Sequence, residues 1–170
     1  MLLTKRIAGR ITACGYTVTS GFAKGVDTSA HVGALENKGT TIMVLPYGHD
    51  HLNIKKDIST LNREDNTLFI SQFMHNEQFS GRNAMTRNKL VCALSKAVIV
   101  ISCGPERDSN GKMSGTFAAG ITALKHNIPL FVVNPSLFNP APQGNIDLIK
   151  LGGIPLSNGD ELTQYVATLQ

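Results

Sequence analysis

An α/β fold is what this sequence predicts: a doubly wound, mainly parallel sheet with helices on both faces. Three observations carry that expectation. Apolar runs rich in β-branched residues alternate with helical patterns along most of the chain. Runs such as Val98-Ile99-Val100-Ile101 show no in/out alternation, so both faces of those strands should be buried, as a helix-covered parallel sheet requires. The stretch from Tyr16 to Leu35 reads as a strand, a glycine loop and a helix start in succession. This βαβ order points to a Rossmann-like arrangement, in which ligands sit at the carboxyl ends of the strands.

Leu3 to Cys14 reads as a helix, with Ile7 and Ile11 one turn apart. A doubly wound fold ordinarily opens on a central strand; none precedes this helix, so either the domain does without that strand or the chain is a shortened version of something longer. Strands are predicted at Thr17 to Thr19, Thr41 to Leu45, Leu68 to Ser71, Ala97 to Ser102 and Leu130 to Val133. Between them, helices are predicted at Thr28 to Asn37, Asn53 to Arg63, Met85 to Ser95 and Gly115 to His126. From Asn158 a closing helix is expected, with Leu162, Val166 and Leu169 on one face. Two loops are longer than connection alone needs. Gly104 to Lys112 is a polar, turn-rich insertion, and Asn134 to Gln143 carries Pro135, Pro140 and Pro142. Both follow strand carboxyl ends, where binding loops belong.

The 170 residues suit a single domain, 1–170, with no flanking accessory domains. With 16 Lys and Arg against 12 Asp and Glu, the net charge of +4 permits a polyanionic partner without demanding one. No apolar run approaches the roughly 20 residues of a membrane span, and no signal peptide opens the chain, so a cytoplasmic protein is expected. Cys14, Cys92 and Cys103 are an odd number, far apart, and read as reduced thiols. The His49-Asp50-His51 triplet lacks a further ligand cluster, so no metal is expected. Neither paired carboxylates nor a nucleophile–base pair can be argued. The expectation is a binding protein without cofactor, not an enzyme.

Within Tyr16 to Leu35, the run Thr17-Val18-Thr19 stops at Ser20-Gly21; Lys24 and Gly25 occupy the loop, and Asp27-Thr28 open the next helix. Glycines let a backbone approach an anion, and the first-turn N–H groups and helix dipole point at it. The same residues also suit an ordinary strand-to-helix turn capped by Asp27. His31 lies close by on the helix face. Arg82-Asn83-Ala84-Met85-Thr86-Arg87-Asn88-Lys89 sets Arg82, Arg87 and Lys89 beside Asn88, a cluster suited to phosphate and sugar contacts or to a solvated basic loop. Ser114-Gly115-Thr116 opens another helix with small and hydroxyl residues, and Gly144 to Ile149 reads as a turn and short helix.

Taken together, these segments resemble the DNA-processing protein A family (DprA, also called Smf). The family pattern Ser-Gly-x-Ala-x-Gly-Ile-Asp-x-x-Ala-His is matched by Ser20-Gly21-Phe22-Ala23-Lys24-Gly25-Val26-Asp27-Thr28-Ser29-Ala30-His31. Thr41-Ile42-Met43-Val44-Leu45, Gly48-His49-Asp50, Arg87-Asn88-Lys89, Ser114-Gly115-Thr116 and Gly144-Asn145-Ile146-Asp147-Leu148-Ile149 follow in the family's order. The resemblance covers about Tyr16 to Gly153. It implies single-stranded DNA binding in DNA processing, recombination or uptake, loading of a RecA-type recombinase, and a homodimer. The residues that would hold DNA are Ser20, Gly21, Lys24, Gly25, Asp27, Arg82, Arg87, Asn88, Lys89, Ser114, Gly115 and Thr116. The chain departs from the pattern at Ser71-Gln72, Ala84-Met85 and Asn134-Pro135, and it lacks the first strand's Gly-x-Arg.

With no Trp, three Tyr and seven Phe, stacking on bases is limited, so affinity should be backbone-dominated and salt-sensitive. The alternative is a sensor domain binding a small nucleotide or nucleotide-derived ligand at the same sheet edge. A phosphoribohydrolase is disfavoured because Lys112 to Ala119 lacks that family's double glycine and carboxylate.

Overall fold

The computed structural model describes residues 1–157, 161 and 163–165. The chain divides into two compact units, one holding Met1–Val91 and the other beginning at Cys92. The closing helix expected from Asn158 lies outside the described residues, apart from isolated positions.

In the first unit, α1 (Leu2–Ala13) leads into β1 (Val18–Ser20), α2 (Val26–Glu36) and β2 (Thr41–Val44). A 3-10 turn (His49–His51), a single helical turn α3 (Lys56–Ser59), β3 (Thr67–Ile70) and α4 (Gly81–Ala93) follow. The sheet has the order β1-β2-β3 and is parallel throughout, with Val18 beside Thr41 and Thr41 beside Thr67. Parallel neighbours need crossovers, and α2 supplies the one between β1 and β2. The central strand is the buried one: Met43, Val44 and the following Leu45 are wholly covered. Met43 and Leu45 pack with Phe22, Val32, Leu35 and Ile58.

The second unit repeats the scheme with β4 (Val98–Val100), α5 (Gly115–Lys125), β5 (Leu130–Val133), α6 (Gln143–Lys150) and β6 (Ile154–Leu156). Its parallel sheet has the order β4-β5-β6, with Val98 beside Leu130 and Phe131 beside Ile154. All four residues of β5 are buried, as the unalternating apolar pattern requires of a central strand. Val100, Leu130 and Val132 form this unit's core with Phe117, Ala123 and Leu148.

Three elements differ from expectation, each for a local reason. The helix expected over Asn53 to Arg63 shrinks to α3, because Lys55 is extended at its start and a turn held by Asn66 (Arg63 N to Asn66 Oδ1, 2.8 Å) closes its far side. Helix α4 begins at Gly81, before the expected Met85, since the Ser80 hydroxyl accepts from the Asn83 amide at 3.0 Å and so caps the first turn. Strand β6 was not expected at all. It contains Pro155, which lacks an N–H and is tolerated because β6 is an edge strand.

Candidate functional site

The loop between β1 and α2 is held from three directions. Asp27, in the first turn of α2, accepts from the Ser20 hydroxyl at 2.9 Å and from the Ala23 amide at 3.1 Å. Its carboxylate therefore closes the loop on itself, while Gly25 takes the N-cap position that Asp27 was expected to fill. Gly25 has φ +92°, a conformation that L side chains rarely adopt, which explains a glycine there.

From beneath, His31 is completely buried and its Nε2 lies 2.6 Å from the Gly21 carbonyl. A carbonyl only accepts, so Nε2 carries a proton. Burial lowers the pKa of His31 and favours the neutral ring, with Nδ1 then an acceptor. Thr41 Oγ1 stands 2.7 Å from that Nδ1 and 2.7 Å from the Val18 carbonyl. Its single hydrogen serves one of the two at a time.

From the third side comes Lys55, which lies at the start of α3. Its ammonium donates at 2.8 Å to each of the Phe22 carbonyl, the Ala23 carbonyl and the Thr28 hydroxyl. It also lies 4.3 Å above the Phe22 ring. Thr28 in turn donates to the Ala23 carbonyl at 2.8 Å. The carbonyls of Gly21, Phe22 and Ala23 are thus all engaged by donors of the protein itself.

Arg87 approaches the loop from α4. It is only 4% exposed, donates from Nη1 to the Val44 carbonyl at 2.6 Å and from Nε to Asn88 Oδ1 at 3.1 Å. Its guanidinium lies where a β-carbon on Gly21 would stand, next to the Asp27 carboxylate. A glycine is therefore required for the guanidinium to reach the loop. Burial lowers the pKa of Arg87, and the opposing influences are the negative charge of Asp27 and the nearby Tyr47. Lys24, Lys55 and Arg87 against Asp27 leave the surroundings of the loop electropositive.

The structure thus brings Ser20, Gly21, Lys24, Gly25, Asp27 and Arg87 into one neighbourhood, with Lys24 and Gly25 at its exposed tip. The expected basic cluster is divided. Arg82 and Lys89 are exposed and about two helical turns apart on α4, whereas Arg87 is turned inward, because 3.6 residues per turn send it to another face. Asn88 is half-buried and positions Arg87.

The other helix start belongs to the second unit. Ser114 caps α5, its hydroxyl accepting from the Phe117 amide at 3.2 Å; Gly115 is the first helical residue and Thr116 is exposed. The adjacent insertion is ordered by Asp108, whose carboxylate accepts from the amides of Asn110 and Lys112 at 2.9 Å each. Asn145 is fully buried and reaches both strand ends, accepting from the Cys103 amide at 2.8 Å and donating to the carbonyls of Ile101 and Val133 at 3.0 and 2.8 Å.

Lys55 was missed in the sequence, since nothing local marks a lysine that acts on a loop some thirty residues earlier. The histidines of His49-Asp50-His51 each face a backbone carbonyl, of Phe69 at 3.4 Å and of Asn76 at 3.0 Å. Among the described residues no group of three metal-ligating side chains converges, and no helix is long and apolar enough to cross a membrane.

The family described as DNA recombination-mediator protein A matches residues 1–167. The chain is 27% identical to the DNA processing protein DprA of Bacillus subtilis over 161 residues, which is 94% of this chain and 50% of that protein. It is 28% identical to the protein Smf of Escherichia coli over 152 residues, 88% of this chain and 39% of that one. The chain therefore spans about half the length, or less, of the curated relatives it matches.

Among solved structures, DNA processing protein A from Helicobacter pylori superposes with a TM-score of 0.81 at 26% identity, covering 98% of this chain and 73% of that one. That structure was described for its unique single-stranded DNA binding mode. DNA processing protein A from Streptococcus pneumoniae superposes with a TM-score of 0.75 at 26% identity, covering 95% and 54%. A likeness of fold alone, TM-score 0.64 at 20% identity, extends to the molybdenum cofactor binding protein of Rippkaea orientalis. The fold is Rossmann-like. Because that family's model matches residues 1–167, nearly the whole chain, the chain belongs to the DNA recombination-mediator protein A family.

Proposed function

We propose that this chain binds single-stranded DNA as one Rossmann-like module of 170 residues, and that it does so in DNA processing and recombination. The observation that carries the reading is the seating of the Arg87 guanidinium against Gly21, in a loop whose carbonyls are drawn away by His31 and Lys55. A backbone stripped of outward carbonyls, with a helix N-terminus and cations around it, is attractive to phosphate. Lys24 at the tip, and Arg82 and Lys89 on the outer face of α4, would neutralise neighbouring phosphates. Ser114, Gly115 and Thr116 would offer a further anion contact at the start of α5. Family membership and the named activity of the H. pylori relative support the same reading. We include in the proposal a non-catalytic role in the cytoplasm, a homodimer, and the loading of a RecA-type recombinase.

The test is anisotropy of a fluorescent oligo-dT over a salt series. Each lost phosphate contact should flatten the slope of log K against log salt by about 0.7. Lys24→Ala, Arg82→Ala and Lys89→Ala should each do so by up to that amount. No binding at low salt by the folded protein would overturn the proposal. Competition by a mononucleotide as effective as the oligomer would assign the loop to a small nucleotide ligand.

A further inference from the structure

We infer that Lys55 is a positioning residue of the β1–α2 loop and not one of the cations that meets phosphate. This inference rests on the reading of that loop as a DNA contact, and it says how the contact is shaped. An ammonium has three hydrogens to donate. Those of Lys55 are all committed, at 2.8 Å each, to the carbonyls of Phe22 and Ala23 and to the hydroxyl of Thr28. Its remaining face covers the Phe22 ring at 4.3 Å, and the side chain is half-buried. Lys24, by contrast, is exposed on the same loop.

The consequence lies in the peptide planes. In a trans peptide the N–H points opposite to its C=O. Drawing the Phe22 carbonyl toward Lys55 directs the Ala23 amide the other way, where Asp27 takes it at 3.1 Å. Drawing the Ala23 carbonyl toward Lys55 likewise directs the Lys24 amide away from the ammonium. His31 does the same for the Phe22 amide by holding the Gly21 carbonyl. Without these anchors the carbonyl dipoles are free to turn outward and repel an anion. Lys55 thus acts through the backbone: its charge orients donors that other residues present to the ligand.

The experiment uses two variants of the full chain. Lys55→Met keeps length and the cover over Phe22 but removes the charge and all three donors; Lys55→Arg keeps charge and donors. Hydrogen exchange of the segment 20–28 is followed beside oligo-dT anisotropy over the salt series. Lys55→Met should speed loop exchange and weaken DNA binding by about tenfold or more at every salt concentration, with the salt slope of the parent retained. Lys55→Arg should restore a large part of both.

A slope flattened by about 0.7 in Lys55→Met would make the residue a phosphate contact and overturn the inference. Unchanged loop exchange would also overturn it. If the parent binds no oligo-dT, the DNA reading fails by itself and the exchange measurement alone decides the anchoring role. Should Lys55→Met not fold, Lys55→Gln, which removes the charge and one of the three donors, must show faster loop exchange. An unchanged loop in that variant would be equally fatal.

Discussion

Replacing Asn145 with Leu should destabilise the second unit more than any surface change, and the cost can be worked from its contacts. Asn145 is 0% exposed and makes three hydrogen bonds to backbone groups at the ends of β4 and β5. Leu keeps the branched four-atom skeleton of Asn but has bulkier methyl tips, so any overpacking adds to the polar loss worked here. The Cys103 amide, having one hydrogen and losing its acceptor, becomes a buried orphan donor at a cost of about 1–3 kcal/mol. Each carbonyl, of Ile101 and of Val133, loses one bond worth about 1 kcal/mol net. The sum is about 3–5 kcal/mol, a large share of the roughly 5–15 kcal/mol that holds an ordinary domain together. In urea, at about 2 kcal/mol per molar, the midpoint should fall by about 2 M. Asn145→Asp should be no milder at neutral pH, because it keeps an acceptor for Cys103 but turns a carboxylate toward two carbonyls. A loss below about 1 kcal/mol in Asn145→Leu would refute the account, since it would mean that water or neighbouring groups replace all three bonds.

Two further outcomes are expected. Gly33→Ala sets a β-carbon 2.6 Å from the Lys5 backbone, and since backbone yields poorly, α1 should be pushed off α2 with a loss of about 1–3 kcal/mol in denaturant unfolding. For His31, burial lowers the pKa from the ordinary 6.5, so the unfolded chain takes up the proton first as pH falls. The stability it contributes is complete above 6.5 and is lost as pH falls through the folded value. His31→Gln should be less stable at neutral pH but flatter in its pH dependence, and an equally steep acid loss in that variant would assign the titration elsewhere.

Much of the fold was legible because its signals are local. Leu130 to Val133 is apolar without alternation, and it is a fully buried central strand with the bounds expected. Gly21 and Gly25 could be read as loop glycines, and one reason for the second is a dihedral angle, a property of a single residue. The local pattern is ambiguous in two places. The stretch Asn53 to Arg63 reads as a long helix, yet one turn suffices to bring Ile58 into the core. The basic run from Arg82 to Lys89 looks like one cluster until Ser80 caps a helix through it and distributes the side chains around an axis.

By itself the sequence determined the α/β class, the parallel strands, the loop between β1 and α2, and the family, because β-branched runs, glycines and ordered motifs are properties of neighbouring residues. Only the tertiary structure decided what each charge does. Arg87 faces Gly21 across sixty-five intervening positions, Lys55 reaches back to Phe22, and Asn145 closes on Ile101. The reason is physical: a long polar side chain has no fixed direction until packing buries its stem and leaves its donors one set of acceptors.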